Sequence, residues 1–244
     1  MKFEKSNPTH LNQILNLNTP LIGFYDAPNP QPFQPLVEPH KKDCIFSFYQ
    51  RWIQGETLHL TKDNFGCGGA GHWILGIKSR SKEDYIRFLG DEEGLKASPQ
   101  LMEQWIDSSH PYHPQHSHIL IGPLNQNQWT YLQSIMFFVD PDQLSTLMCG
   151  AQHHSSPQDP PPVIAPFGSG CMEIRPFQNP DIPQAAIGAT DLAMRQHLPA
   201  HILAFTVTKP MFRRLCELDK RSFLYKSFFQ NLKKTRGINH FGNP

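Results

Sequence analysis

The order in which strand-like and helix-like stretches follow one another constrains this chain more than any single motif. Helical spacing at Leu11, Ile14, Leu15 and Leu17, ended by Asn18-Thr19-Pro20, gives way to a strand-like PLIGFY. From there the two periodicities alternate without a regular rhythm. A doubly wound parallel sheet needs strand and helix in steady alternation. The expected class is therefore α+β, a single domain over residues 1–244 with a mixed or mostly antiparallel sheet flanked by helices.

Local signals refine that outline. Pro28, Pro30, Pro32, Pro35 and Pro39 make residues 27–39 extended surface coil, and composition does not shift on either side as it would around a linker. Ile45, Phe46, Tyr49, Trp52 and Ile53 fit one helix face, stopped by Gly55. Residues 56–61 alternate like a strand and lead to a glycine-rich loop over 65–71. Ser81 with Asp84 reads as a capping box, Ser98-Pro99 as an N-cap with proline behind it, and Asp140-Pro141-Asp142-Gln143 repeats that grammar. Further strands are expected at 119–121, 131–139 and 202–207, a proline-rich loop over 152–162, and closing helices around 212–218 and 222–233.

Composition limits the partners. A chain of this size buries roughly three quarters of the surface its unfolded form exposes, so it needs no disulfides for a core. Five cysteines is an odd number without dense spacing, which leaves the thiols free. The opening MKFEKSNPTHLNQIL lacks the apolar stretch of a signal peptide, and no run of about eighteen apolar residues occurs. A cytoplasmic location, with reduced thiols and no membrane contact, is expected. Net charge is +1, from 22 basic and 21 acidic residues, which offers nucleic acid no electrostatic footprint. The expected partner is an unidentified small-molecule substrate or redox partner; oligomeric state is not legible.

Two glycine–cysteine loops stand out. Gly66, Gly68, Gly69 and Gly71 surround Cys67, and Gly168 and Gly170 precede Cys171. A thiolate is the species that ligates metal or attacks an electrophile. Several thiolates side by side repel unless a cation gathers them. Glycines permit positive φ and turn backbone N–H groups toward an anion, as in the nests of iron–sulfur sites. Cys44, at the start of an amphipathic helix, would have its pKa lowered by the helix N-terminus. Cys149 and Cys216 are expected to pack in the core.

The three candidates lie 23 and 104 residues apart, unlike the close pairs of structural zinc sites. Scattered ligands also serve iron–sulfur clusters. Three cysteines on a four-iron, four-sulfur cluster leave one iron for another ligand or a substrate, where it acts as a Lewis acid. His72, directly after the first loop, is a candidate fourth ligand or proton donor. Phe65-Gly-Cys-Gly-Gly and Phe167-Gly-Ser-Gly-Cys171 share one grammar, as a decayed internal duplication would leave it. The bland alternative gives these glycines only tight turns to make.

Other signatures fail. Gly66, Gly68 and Gly71 match G-x-G-x-x-G, with Asp91 twenty residues on, but Lys62-Asp-Asn-Phe separates them from the strand and Gly76 interrupts the helix the motif would need next. No Walker, G-x-S-x-G or H-E-x-x-H pattern occurs. His110, His113, His116 and His118, in HPYHPQHSH, read as a solvent-exposed loop rather than a metal tract, and so does His153-His154.

An ordered series of strings then carries a resemblance. IGFYDAP, Cys44-Ile-Phe-Ser-Phe, Asp63-Asn-Phe-Gly-Cys-Gly-Gly-Ala, Ile121-Gly-Pro-Leu, Phe138-Val-Asp-Pro-Asp-Gln-Leu, Ile164-Ala-Pro-Phe-Gly-Ser-Gly-Cys and Ala186-Ile-Gly-Ala-Thr-Asp resemble domain of unknown function 169, the archaeal Cys-rich (ArCR) family. The resemblance covers about residues 20–230. It implies no settled activity. It places the family's motif cysteines on Cys44, Cys67 and Cys171, and it leaves out Cys149, Cys216 and the histidine-rich insertion. Three functions remain open at this level: an iron–sulfur protein acting on a small molecule, a ligand-binding or scaffold protein with structural cysteines, and a cysteine-nucleophile enzyme.

Overall fold

A computed structural model describes residues 8–40, 43–77 and 80–236. Among these, the strands are β1 (Ile22–Ala27), β2 (Leu36–Val37), β3 (Thr57–Leu60), β4 (His118–Pro123), β5 (Leu132–Val139), β6 (Val163–Ile164), β7 (Ala185–Gly188) and β8 (Leu203–Val207). The α-helices are α1 (Pro8–Leu15), α2 (Tyr49–Ile53), α3 (Gly68–Trp73), α4 (Lys82–Ile86), α5 (Pro99–Ser108), α6 (Pro141–Gln152), α7 (Lys209–Cys216) and α8 (Ser227–Thr235).

Helices start where short polar side chains meet unpaired backbone N–H groups. Ser81 accepts from Asp84 N–H to open α4, Ser98 from Leu101 N–H to open α5, and Thr208 from Met211 N–H to open α7. At α6 the box is reciprocal: Asp140 accepts from Gln143 N–H while the Gln143 side chain accepts from Asp140 N–H.

The strands form one mixed, eight-stranded sheet in the order β2-β3-β4-β1-β5-β8-β7-β6. The α+β expectation holds. From its centre outward, the sheet repeats itself: β1-β4-β3-β2 on one side, β5-β8-β7-β6 on the other. Each half places its first, fourth, third and second strands in that order. In each half the outermost pair is parallel, β2 with β3 and β6 with β7, and the inner pairs are antiparallel. Antiparallel pairing of β1 with β5 joins the halves.

Strand alternation sends side chains to two separate cores. One face carries Tyr25, Phe137 and Phe205 and is covered by α1, α6, α7 and α8 through Leu11, Leu147, Phe212 and Phe229. The other carries Phe24, Leu58 and Phe138 and is covered by the cysteine-bearing segments, through Phe46, Trp52, Trp73 and Met194. There Trp52, fully buried, stacks on Phe138 and pins α2 to the sheet. Truncating such a side chain costs about 3–5 kcal/mol.

Several local readings change. The loop over 65–71 becomes helical from Gly68, because Cys67 itself caps α3. The segment following Cys44 is a 3-10 turn, Ile45–Phe48, before α2 begins. Within the proline-rich coil, Leu36 and Val37 pair with Thr57 and Leu58 at the sheet edge. Ala185–Gly188 is a strand that its short apolar run, bounded by Pro183 and Thr190, did not announce. Cys149 lies on the exposed side of α6, so its place in the core is withdrawn; Cys216 is buried as expected.

Candidate functional site

Three loops from both halves of the sheet meet on one face. Cys44 lies between β2 and β3, Cys67 between β3 and β4, and Cys171 between β6 and β7. All three line a single cavity of about 520 Å³. Residues 104 apart in the chain thus become neighbours.

Glycine makes the approach possible through size. A Cβ at Gly66 would collide with the Asp43 carbonyl oxygen, so only a bare backbone lets the Cys67 loop press against the residue before Cys44. A Cβ at Gly170 would meet Met194 at 2.8 Å and Phe46 at 3.2 Å. Positive φ, the other expected role, occurs among the described glycines at Gly55, Gly76 and Gly94 and at none of the site glycines. Gly69 is different. A Cβ there would rest in ordinary contact, 3.6 Å from Cys67 Sγ, 3.7 Å from Cys171 Sγ and 3.8 Å from Ser169 Oγ. Gly69 therefore leaves a small open space ringed by two sulfurs and a hydroxyl.

The thiols are not equivalent. Cys67 Sγ accepts from Ala70 N–H at 3.4 Å. A hydrogen bond from the Cys171 thiol, aided by the Ala70 and Gly69 N–H groups, pulls Cys67 down to about 6 against its burial. Cys171, 6% exposed, is raised well above the ordinary thiol value because its proton is held on Cys67 and because it is buried. Cys44 is raised by burial, which outweighs the Phe46 and Ser47 N–H groups, so the expected lowering at a helix start is corrected. A short 3-10 turn supplies too few aligned peptides to offset desolvation.

Two carboxylates that sequence reasoning left unassigned sit among these loops. Asp191 accepts from Gly170 N–H at 2.8 Å and from Ala193 N–H at 2.9 Å, so it ties the Cys171 turn to the turn after β7. Its charge acts on Cys44, Cys67 and Cys171 alike. The string Ala186-Ile-Gly-Ala-Thr-Asp191 contained this residue; no periodicity marked it. Glu173, fully buried two residues after Cys171, accepts from Thr190 N–H at 3.2 Å and from the Thr190 hydroxyl. Burial raises it to about 7, with the Thr190 hydrogen bonds opposing.

Aromatic residues build the wall above the thiols. Trp73, Tyr85, Phe88, Trp105 and Phe167 line the cavity, and Trp105 Nε1–H donates to the Phe167 carbonyl at 3.1 Å. Gly68, Gly69, Gly168 and Gly170 also line it, whereas Gly66 supports it from behind. His72 packs its ring against Trp73 and Tyr85 at 4.4 and 4.9 Å, outside that lining. The histidine tract is exposed at His110, His113 and His116, yet it is fastened: His116 reaches Asp26 at 3.1 Å, and His118 Nδ1 lies 2.9 Å from His59 Nε2. His153 and His154 are exposed as expected. Among the described residues, no three His, Cys, Asp or Glu side chains already stand around a single-ion position.

Fold and site together define an α+β protein with a thiol-floored, aromatic-walled pocket. The chain belongs to domain of unknown function 169, described as uncharacterised ArCR, whose family model matches residues 10–217. Comparison with curated proteins and with solved structures finds no match. No helix among the described residues is long and apolar enough to cross a membrane.

Proposed function

We propose that this is a cytoplasmic iron–sulfur protein that carries a cluster on the pocket floor through Cys44, Cys67 and Cys171. The carrying observation is the convergence of these three thiols from separate loops on one cavity. The donor set suits the group: hydrogen bonds from Cys171, Ala70 and Gly69 favour the thiolate form of Cys67, and iron would relieve the repulsion of ionising the other two. The space beside Gly69 lies where two of those sulfurs face each other. When bound, the cluster supplies redox or Lewis-acid chemistry. The chain's own residues exclude bulk water with the aromatic wall and hold a small molecule above the sulfurs.

Anaerobic purification, visible absorption, and iron and sulfide analysis test this reading. The expected result is a brown protein that loses its iron when Cys44, Cys67 or Cys171 is replaced by serine and keeps it when Cys149 is. A colourless protein without iron or sulfide overturns the reading and leaves a ligand-binding or scaffold role.

The hydrogen bond between Cys171 and Cys67 favours one second reading, Cys67 as a nucleophile. It predicts stoichiometric alkylation of Cys67 by iodoacetamide with a pH midpoint near 6 in the metal-free protein. Its distinguishing mark is activity that survives Cys44→Ser.

A further inference from the structure

The sheet's repeat says which loops correspond, and the answer differs from the one the loop sequences imply. In the first half, Cys44 occupies the connection between the second and third strands, and Cys67 the connection between the third and fourth. In the second half those connections are β6–β7 and β7–β8. The former carries Cys171, so Cys171 corresponds to Cys44 and not to Cys67, whose glycine grammar it shares. The latter spans residues 189–202, which bring two side chains of metal-ligating type, Asp191 and His197, to the cavity; of these Asp191 is the one tied to the Cys171 turn, through Gly170 N–H. Cys44, Cys67, Cys171 and Asp191 all line the same cavity.

We propose that Asp191 is the fourth protein ligand of the site, completing a quasi-twofold set in which Cys44 pairs with Cys171 and Cys67 with Asp191. This rests on the iron–sulfur reading and deepens it. The carboxylate is aimed already: Gly170 and Ala193 N–H groups hold its two oxygens. A carboxylate oxygen can accept from more than one partner, so both oxygens retain capacity for a metal. Asp191 and Cys171 are also coupled mechanically, since Gly170 joins them. An oxygen donor is harder than thiolate and suits the iron of an iron–sulfur cluster less well than thiolate does. An iron held by Asp191 would be the one most open to exchange of its protein ligand for a substrate oxygen or nitrogen, so Asp191 would mark the reactive corner of the pocket.

The test uses the full chain, reconstituted anaerobically with isotopically enriched iron and sulfide, as the natural protein and as Asp191→Cys and Asp191→Asn. In the natural protein, Mössbauer spectra should contain one iron site distinct from the remainder. In Asp191→Cys that distinct site should disappear, and iron release to a chelator should slow. In Asp191→Asn, whose amide oxygen still accepts from Gly170 N–H, release should quicken about tenfold. Circular dichroism of the metal-free variants checks their fold, and slower release from Asp191→Cys cannot arise from misfolding. A brown natural protein whose variants match it in spectrum and release rate overturns the role of Asp191 alone. A natural protein that takes up no iron overturns the cluster reading, and this assignment with it.

Discussion

The two halves of the sheet use one strand order to do different work. Between its third and fourth strands the first half inserts residues 61–117, with α3, α4 and α5. That insertion brings Trp73, Tyr85 and Trp105 to the pocket. The second half spans the same step with residues 189–202, a tight connection that carries Asp191. It places its own insertion earlier, as α6 between β5 and β6, and packs that helix on the opposite face. The repeat therefore sets where loops converge, and unequal insertions decide which face gathers the three thiols and the aromatic wall.

Each half also fastens its loops with one buried carboxylate, and the two are solvated differently by the protein. Asp26 on β1 accepts from the Tyr112 hydroxyl at 2.5 Å, from Gln115 N–H at 2.6 Å and from His116 N–H at 2.9 Å, which closes the end of the insertion against the sheet. Glu173 has Thr190 for its side-chain partner and is raised to about 7. Asp26 acts as a staple between the sheet and the insertion; at Glu173 burial outweighs the hydrogen bonds that oppose it, and the carboxyl is kept partly protonated.

Four substitutions, in three tests, probe the two halves and the site between them, the largest effect first. Asp26→Ala strips the acceptor from three buried or half-buried donors, and each such loss costs about 1–3 kcal/mol. Urea unfolding should show a destabilisation of at least about 3 kcal/mol; an unchanged midpoint would remove Asp26 as the fastening of the first half. Glu173→Gln should act in the opposite direction above neutrality. Because folding raises this carboxyl from its ordinary value to about 7, the unfolded chain binds fewer protons between those values, and stability falls as pH rises across that window. A glutamine side chain cannot ionise, so the variant should gain up to about 3 kcal/mol over the natural protein at pH 8 and little at pH 4. A gain independent of pH would show that Glu173 is not the titrating group.

Gly66→Ala and Gly69→Ala form the third, smallest contrast. The first drives a Cβ into the Asp43 carbonyl and should cost about 1–3 kcal/mol in thermal or urea unfolding. The second makes only ordinary contacts and should leave stability within about 0.5 kcal/mol while it fills the space between the Cys67 and Cys171 sulfurs. Iron retention by Gly69→Ala equal to that of the natural protein would count against use of that space by a cluster.

Much of this architecture was legible residue by residue. Ser81, Ser98 and the Asp140–Gln143 pair announced their helices because a cap is a hydrogen bond to a neighbour three residues away. The long strand β5 followed from its apolar run, and the α+β class from the irregular order of strand-like and helix-like stretches. The two-residue strands β2 and β6 did not, since nothing in a pair of residues has a period; they exist only as partners of β3 and β7. Cys67 and Cys171 drew notice through their glycines, whose purpose proved to be close approach at Gly66 and Gly170 rather than unusual φ.

By itself, then, the sequence determined the longer elements, several of their caps and a short set of candidate sulfurs, because those depend on side chains within a turn or two of one another. Only the tertiary structure decided which loops correspond, that the Cys171 thiol donates a hydrogen bond to Cys67, and that Asp191 belongs beside them. The physical reason is that contacts across 104 residues are set by strand order and by what lies between the strands, and neither is written in any local stretch of the chain.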